Sequence, residues 1–594
     1  MPPSHRPAPQ RFSSAPIHSL PRRSRGAGVV PAIALALALV GPAPADDAGP
    51  WIRVNQVGYL PDDPKIALLS SATPQTGPFT VGEFSADIGP DCGPWGPFAH
   101  NYRLDFTAVR APGRYRVRAG DVASPEFAIG PDAYRDVPPR LLDFLRLQRC
   151  GDNPATGRKC HQQDAIDVDT GRRVDLVGGW HDAADRIKHM ITTTYCVAAL
   201  ALAGADEEAQ YGAALVARIH PDADTIYVQV GDDRDHGPPL GLWHEDRTDY
   251  GWGPGGPRPA WPATGRPQGP KFQNRSTGLA SLAGRAAAAL ALTGRLDRAE
   301  SAYRLALARP GCTMSVPVKA PHYYMEATDR DDLEWAATEL FIATRRPGYR
   351  EQALAFARQA GVSEWMGVAA GTAAAARLTA TTQAAGAMQP ASAPAGGPAR
   401  HGHYECFPYV NLAHWRLYPH VDAAAQAELA GYYRTALERV QALAEQNPYR
   451  LGTPLVWCSS NNVIAVATQA VLYERMTGDR RFRPLATECR DWLFGRNPWG
   501  VSLVVGVPAD GDTPRRPHHL FWKLAQRLPV GAIVDGPVYK DINDGLRFAP
   551  FGDDRHARFQ SEIGVYHDDF ADFSTNEPIL DGTVSLLLLL RVWP

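Results

Sequence analysis

A single change of hydrophobic period divides this chain. Between residues 51 and 132, apolar and polar side chains alternate in short runs at 52–54, 66–69, 102–106 and 115–118, broken by turn formers at Gly93-Pro94 and Pro112-Gly113. That period of two predicts a small β-sandwich. From residue 133 onward, Ala- and Leu-rich runs with apolar spacings of three and four take over, at 141–145, 195–203, 280–292, 299–307, 333–343, 423–444, 463–473 and 579–590. Each predicts a helix with at least one buried face. Strands and helices do not alternate, which argues against a nucleotide-binding parallel sheet. A chain of 594 residues exceeds what one core holds, so 51–132 and 133–594 are read as two domains, the second mainly α.

Residues 1–45 are read as a signal peptide rather than as structure. Arg22, Arg23 and Arg25 precede an apolar run at 28–41, and Ala43-Pro44-Ala45 supplies a small-x-small cleavage site. The run is too short to span a membrane. Twin-arginine export stands as an alternative route, and the long Pro-rich lead-in suggests that translation begins later. The expectation is an exported protein, periplasmic or extracellular, monomeric and not inserted in a membrane after cleavage. A net charge of -2 without a basic run argues against nucleic acid as partner. Two segments stand out as low in complexity: 251–269, a Gly/Pro-rich cleft-edge loop carrying Trp252 and Trp261, and 369–402, an Ala-rich insertion between helices.

Chemistry concentrates in two acid-rich segments. Residues 178–185 read Gly-Gly-Trp-His-Asp-Ala-Ala-Asp, and residues 568–577 read Asp-Asp-Phe-Ala-Asp-Phe-Ser-Thr-Asn-Glu. Carboxylates beside aromatic rings suit glycosidic cleavage, which needs a protonated acid for the leaving oxygen, an ionised base for water, and flat faces for sugars. The bland alternative makes Asp182 and Asp185 an N-cap and first-turn pair, and Glu577 a first-turn residue of the last helix. Fourteen tryptophans are more than folding alone calls for, and sugar stacking would use some.

These segments resemble the Gly-Gly-Trp-x-Asp-Ala-Gly-Asp and Asp-x-x-x-x-aromatic-x-x-x-Glu signatures of family 9 glycoside hydrolases, an inverting cellulase family. Further matches follow in order: IRVNQVGYLP at 52–61, QVGDDRDH at 229–236, NRSTGLASLAGR at 274–285, DDLEWAATEL at 331–340, GRNPWG at 495–500 and PHH at 517–519. The resemblance implies an (α/α)6 barrel behind an immunoglobulin-like β-sandwich. It implies Asp185 as general base, Asp182 as its water-positioning partner and Glu577 as general acid, with His518, Asp568 and Tyr566 as sugar contacts and Trp457 as a stacking platform. The substrate implied is a cellulose-like, mixed-linkage or xyloglucan chain cleaved internally at β-1,4-glucosidic bonds, with no organic cofactor. Exo-acting glucosidase or glucosaminidase activity and a catalytically weak carbohydrate-binding protein are the alternatives.

Four departures matter. Ala184 stands where the signature has Gly, Leu520 where an Arg usually follows the histidines, Thr583 where an Asn is usual, and Trp457-Cys458-Ser459-Ser460 where the family reads Trp-Gly-Ser. Loss of the Arg removes a bidentate hydroxyl donor and bears on substrate preference.

Cys150, Cys160, His161 and His181 offer two thiolates and two imidazoles, the donor set of a tetrahedral structural zinc site, with His189 in reserve as fourth ligand. Family 9 members with zinc at this kind of arrangement reinforce the reading. The alternative is a Cys150 to Cys160 disulfide beside unrelated histidines. The remaining cysteines are expected as buried thiols or unassigned pairs. Asp232, Asp233 and Asp235, in a Gly-flanked loop, suit calcium, and His236 and Trp243 read as cleft wall.

Overall fold

A computed structural model describes residues 49–235, 248–250, 255–318, 324–326, 328–362 and 409–593. Residues 1–45, read above as a signal peptide, the stretch 369–402 and the residues His236, Trp243, Trp252 and Cys406 lie outside these residues.

The N-terminal part is β-rich, as the alternating pattern predicts. Strands Trp51–Arg53, Ile66–Ser71 and His100–Asp105 form one antiparallel sheet. Pro78–Val81, Phe84–Asp87, Val117–Ala119 and Val122–Ala123 form a second, and Gly58–Tyr59, Gly113–Tyr115 and Phe127–Ile129 a third. Along Ile66–Ser71 the pleat sends Ala67 and Leu69 into the sandwich core with Phe79, Val117 and Phe127, while Leu68 points the other way, into the core of the helical domain. Trp95 and Phe98 join Leu68 there.

Polar groups complete this interface. Asn55 Nδ2 donates to Asp491 Oδ1 at 2.7 Å, Gln56 Nε2 to the Gly500 carbonyl at 2.8 Å, and Arg490 reaches Asp63 at 2.6 Å. The IRVNQVGYLP segment is therefore a hinge of packing between the two parts, which explains why polar Asn55 and Gln56 sit buried inside it.

The helical domain is a double ring. Helices Met190–Leu202, Ala280–Leu292, Arg330–Thr344, Tyr409–Leu417, Ser459–Thr477 and Leu580–Val592 pack each on the next, and the last returns to the first. Val137–Gln148, Asp206–Ile219, Leu296–Ala308, Pro347–Ala360, Ala423–Ala444 and Arg483–Leu493 lie outside them. This is the (α/α)6 barrel.

The inner helices are buried almost all round, which is why they read as Ala- and Leu-rich runs rather than narrow stripes. Small side chains let them approach: a Cβ on Gly284 would meet the Asp332 carbonyl oxygen at 2.9 Å.

Connections at one end of the barrel carry short strands. Ile166–Asp167, Pro259–Pro262, Tyr227–Val230 and Lys188–His189 build a four-stranded sheet in that order. The expectation of a loop through 251–269 is corrected here: Pro259–Pro262 is a strand, and Trp261 Nε1 donates to the Gly231 carbonyl at 3.2 Å. A second ladder pairs Ile533–Val534 with Pro578–Ile579, directly after Glu577.

Candidate active site and metal cluster

The segment at 178–185 is a bend. Gly178 and Gly179 adopt φ of 94° and 71°, where a side chain would be strained, and Trp180 is wholly buried with its Nε1 donating to Glu208 at 2.8 Å. That anchor fixes the direction of the next five residues. Helix Met190–Leu202 begins after them with His189 as its N-cap, so Asp182 and Asp185 are not capping residues and no helix opens at Arg186. Instead Asp182 N donates to the Ile187 carbonyl at 3.0 Å, and Asp185 Oδ1 accepts from Ile187 N at 2.8 Å. Ala184 is not among the residues with positive φ, so its extra methyl is accommodated.

Asp182 is buried, and its carboxylate accepts from Thr192 Oγ1 at 2.5 Å and from the Tyr324 hydroxyl. The Tyr324 ring packs edge-on to His189. Neither Thr192 nor Tyr324 was singled out from the sequence: Tyr324 meets Asp182 across 142 positions, and Thr192 lies inside an apolar helical run.

The second segment meets the first. Glu577 Oε1 accepts from Ala184 N at 3.1 Å, and Leu580 N donates to the Asp182 carbonyl at 3.0 Å. Glu577 precedes the final helix by a strand residue pair rather than sitting in its first turn. Burial, then the negative charges of Asp535 and Asp185, push its carboxyl well above the usual range, with Asp182 adding to them. The bend therefore carries a half-buried carboxylate, Asp185, whose charge is among those that raise the Glu577 carboxyl.

The expected sugar contacts divide into two groups. His518 and Trp457 are partly exposed. His518 stacks on Phe570 with centroids 5.0 Å apart, and its Nδ1 faces the Phe570 carbonyl oxygen. Burial lowers its pKa, with Asp572 and Asp185 acting in the opposite sense. Trp457 lies 5.6 Å from Phe573, and its Nε1 donates to Asp535 Oδ2 at 2.9 Å.

Tyr566 and Asp568, in contrast, are buried inward. The Tyr566 hydroxyl donates to Asn576 Oδ1 at 3.0 Å. Asp568 accepts from the backbone N–H groups of Arg515 and Arg516 at 2.9 and 2.8 Å and from Arg555 Nε at 2.7 Å. Those bonds commit both side chains to bracing the 512–516 and 566–577 loops, in place of the direct sugar contact expected of them. Thr583 Oγ1 donates to the Ile579 carbonyl at 2.7 Å and accepts from Ile533 N at 3.2 Å, so it holds the short ladder beside Glu577. His519 is enclosed, bonded to Gln148, and serves the scaffold.

Cys150, Cys160, His161 and His181 come together, all buried, with one donor atom from each within 4.8 Å of every other. Cys150 Sγ lies 3.6 Å from His161 Nδ1, Cys160 Sγ 3.8 Å from His181 Nε2, and His181 Nε2 3.4 Å from His161 Nδ1. A tetrahedron with ligand bonds of about 2.0–2.3 Å has edges of about 3.3–3.8 Å, so the donors already stand at metal-binding spacing. Both cysteines are free thiols, not a disulfide, and His189 is outside the cluster. Burial works against ionising Cys150, yet the bond from Cys160 and the charge of Lys188 bring it well below the ordinary thiol value. Around the cluster, Arg258 Nη2 reaches Cys150 Sγ at 3.6 Å and Asp164 at 2.6 Å, and Asp164 also pairs with Lys188 at 2.7 Å.

The three aspartates expected to suit calcium are engaged by protein donors. Asp232 is paired with Arg234 at 2.5 Å, Asp235 accepts from Asp232 N and the Tyr250 hydroxyl, and Asp233 accepts from Val318 N at 3.1 Å. Among the described residues they form no ligand group. Of the other described cysteines, Cys92 is exposed and Cys196, Cys312, Cys458 and Cys489 are buried free thiols.

The sequence profile of glycosyl hydrolase family 9 matches residues 134–590, and that of the cellulase N-terminal Ig-like domain matches 47–124. The chain is 25% identical to Endoglucanase 3 of Oryza sativa subsp. japonica, over 75% of this chain and 91% of that protein. It is also 25% identical to Endoglucanase C of Cellulomonas fimi, over 89% of this chain but only 50% of that longer protein. Among solved structures, a metagenome-derived family 9 endoglucanase superposes with a TM-score of 0.64 at 24% identity, covering 91% of this chain and 98% of its own. A zinc-binding triple mutant of a family 9 endoglucanase superposes with a TM-score of 0.65 at 22% identity, covering 90% and 99%. With a profile match over most of its length laid on a closed double ring of helices, the chain belongs to glycosyl hydrolase family 9 and is a glycoside hydrolase of cellulase type.

Proposed function

We propose that this chain hydrolyses internal β-1,4-glucosidic bonds of a glucan chain with inversion at the anomeric carbon. The observation that carries the reading is the contact of Glu577 with the backbone of Ala184, which sets a proton-bearing acid against the bend that presents Asp185. Glu577 gives its proton to the leaving glycosidic oxygen as the bond to the anomeric carbon breaks. Asp185 takes a proton from a water whose oxygen attacks that carbon from the opposite face. Asp182, fixed by Thr192 and Tyr324, orients the water and transfers no proton.

Trp457 and His518 are the side chains placed to meet sugar, the first by its ring face and the second by the imidazole edge beside Phe570. Asp568 and Tyr566 act one step back, by holding the loops that carry Glu577 and Arg515.

The four-residue cluster fits zinc by donor type, burial and spacing. Cys150, Cys160, His161 and His181 would hold zinc, which would supply a structural crosslink there. Its location serves the chemistry indirectly: His181 N donates to the Gln148 carbonyl, and the next residue is Asp182, so the crosslink stiffens the bend that carries both carboxylates. The N-terminal apolar run supports export, and among the described residues no helix is long and apolar enough to cross a membrane.

The test follows the product. Early hydrolysis of a soluble β-1,4-glucan, watched by NMR, is expected to release α-anomer first, with a spread of oligosaccharide lengths. Direct release of β-anomer overturns inversion, and release of single sugars from one chain end overturns internal cleavage.

A further inference from the structure

The short ladder Ile533–Val534 with Pro578–Ile579 pairs Ile533 with Ile579 and Val534 with Pro578. The same antiparallel register carried one residue further sets Asp535 opposite Glu577, and Asp535 N donates to the Glu577 carbonyl at 2.9 Å. Cross-strand partners put their side chains on one face, with Cβ atoms about 5 Å apart. A third carboxylate thus stands beside the general acid, and it is almost fully buried, with 1% of its surface exposed.

Its two oxygens are both held by donors: Trp457 Nε1 at 2.9 Å on Oδ2 and Cys458 Sγ at 3.1 Å on Oδ1. Cys458 reaches it from a left-handed backbone, φ 57°, at the start of helix Ser459–Thr477, a conformation that costs a cysteine more than a glycine. The strain accompanies a side chain whose thiol has a specific acceptor.

Resting on the assignment of Glu577 as general acid, we propose that Asp535, oriented by Trp457 and Cys458, is a positioning residue that keeps the transferable proton on Glu577 until the leaving oxygen takes it. Two carboxyls this close in a buried site do not both ionise readily; they titrate as a pair. Burial raises both carboxyls well above the usual range; at Asp535 the bonds from Cys458 and Trp457 work against that rise, one on each oxygen, whereas Glu577 accepts from the Ala184 N–H, and this difference in donors is what biases the shared proton toward Glu577. The other charges facing the pair are Asp185 and Asp182 from the bend, Asp581 from the last helix and Asp572 from the 568–577 loop. All are negative, so they act in the same sense. Because Trp457 is also the ring placed for sugar stacking, a sugar seated on it shields the bond that orients Asp535, which links occupation of the cleft to retention of the proton.

The experiment is a pH profile of kcat/KM on a cello-oligosaccharide, with the whole chain, for wild type, Glu577→Gln, Asp535→Asn, Cys458→Ala and Cys458→Ser. Asp535→Asn is expected to move the alkaline limb to lower pH, so that at a pH on the wild-type plateau's alkaline edge its rate falls at least about tenfold. An aryl glycoside with a good leaving group needs little acid and is expected to lose much less. Cys458→Ala is expected to shift the limb in the same direction by a smaller amount, and Cys458→Ser, which restores a donor, to return it toward wild type. An alkaline limb unchanged in both Asp535→Asn and Cys458→Ala overturns the proposal. If Glu577→Gln keeps wild-type activity on the oligosaccharide, the general-acid assignment itself fails, a result separable from the first. Should Asp535→Asn not fold, the Cys458 pair alone decides, since alanine and serine differ there only by the donor.

Discussion

Replacing Tyr324 by Phe removes one hydroxyl and leaves the ring, which packs against His189 with centroids 4.8 Å apart. The hydroxyl donates to Asp182 Oδ2, while Thr192 Oγ1 holds Oδ1 at 2.5 Å. A hydrogen bond to a charged group contributes about 1.5–3 kcal/mol, which corresponds to about 10- to 150-fold in rate if it is expressed wholly in the transition state. The Asp182 backbone is fixed separately, by Ile187 and Leu580, so the carboxylate stays in place and loses a directional restraint. The lower end, about tenfold in kcat, is therefore expected, with KM little changed because Tyr324 acts on the water and not on the sugar. Thr192→Val is expected to cost a similar factor. The double variant is expected to cost less than the product of the two, because both donors hold one carboxylate. Initial rates on a soluble glucan, with thermal melting recorded alongside, measure this. A Tyr324→Phe variant within about twofold of wild-type kcat refutes the reasoning, as does a multiplicative double variant.

Three further outcomes follow from other parts of the molecule. Purified protein is expected to carry close to one zinc per chain, and chelation to lower the melting temperature more than it changes the pH profile; metal analysis on fully reduced protein decides it. Deleting residues 46–132 is expected to expose the surface under Leu68, Trp95 and Phe98 and to leave Asp491 without Asn55, so the truncated chain aggregates although every carboxylate of the site remains; light scattering of the purified fragment reads this out. His519 is wholly buried as a neutral ring, accepting from Phe521 N and facing Gln148 Oε1, and burial lowers it to about 3. A depressed folded value means stability that is complete above about pH 6.5 and declines, by up to about 1.4 kcal/mol per unit, as pH falls toward the folded value. His519→Gln is expected to flatten that part of the acid unfolding curve.

The architecture was legible because burial writes itself into period. Sandwich strands alternate, and the inner helices of the double ring are apolar on every side, so the β-rich and helical parts and most helix positions follow from spacing. The two acid-rich segments were legible for a different reason: each packs several functional residues into ten positions, and the Cys and His set is equally dense. What escaped is the set of groups that act across the chain. Tyr324 reaches Asp182 over 142 positions, and Asp535 meets Cys458 over 77 and Glu577 by ladder register. A single tyrosine or aspartate in an otherwise ordinary stretch carries no spacing signal, and only closure of the barrel gives it a partner.

The same distinction explains why Asp568 and Tyr566 changed role. Their place within a dense motif does not say whether a side chain points at substrate or at its own loop, which depends on the donors the fold delivers. For Asp568 the fold delivers two backbone N–H groups and the Arg555 guanidinium, enough to engage both oxygens of a buried carboxylate. Asp185 accepts from the Ile187 N–H, and its side chain is half-buried. What the donors around Asp568 make of it is a brace between loops, and the motif that contains it does not say so.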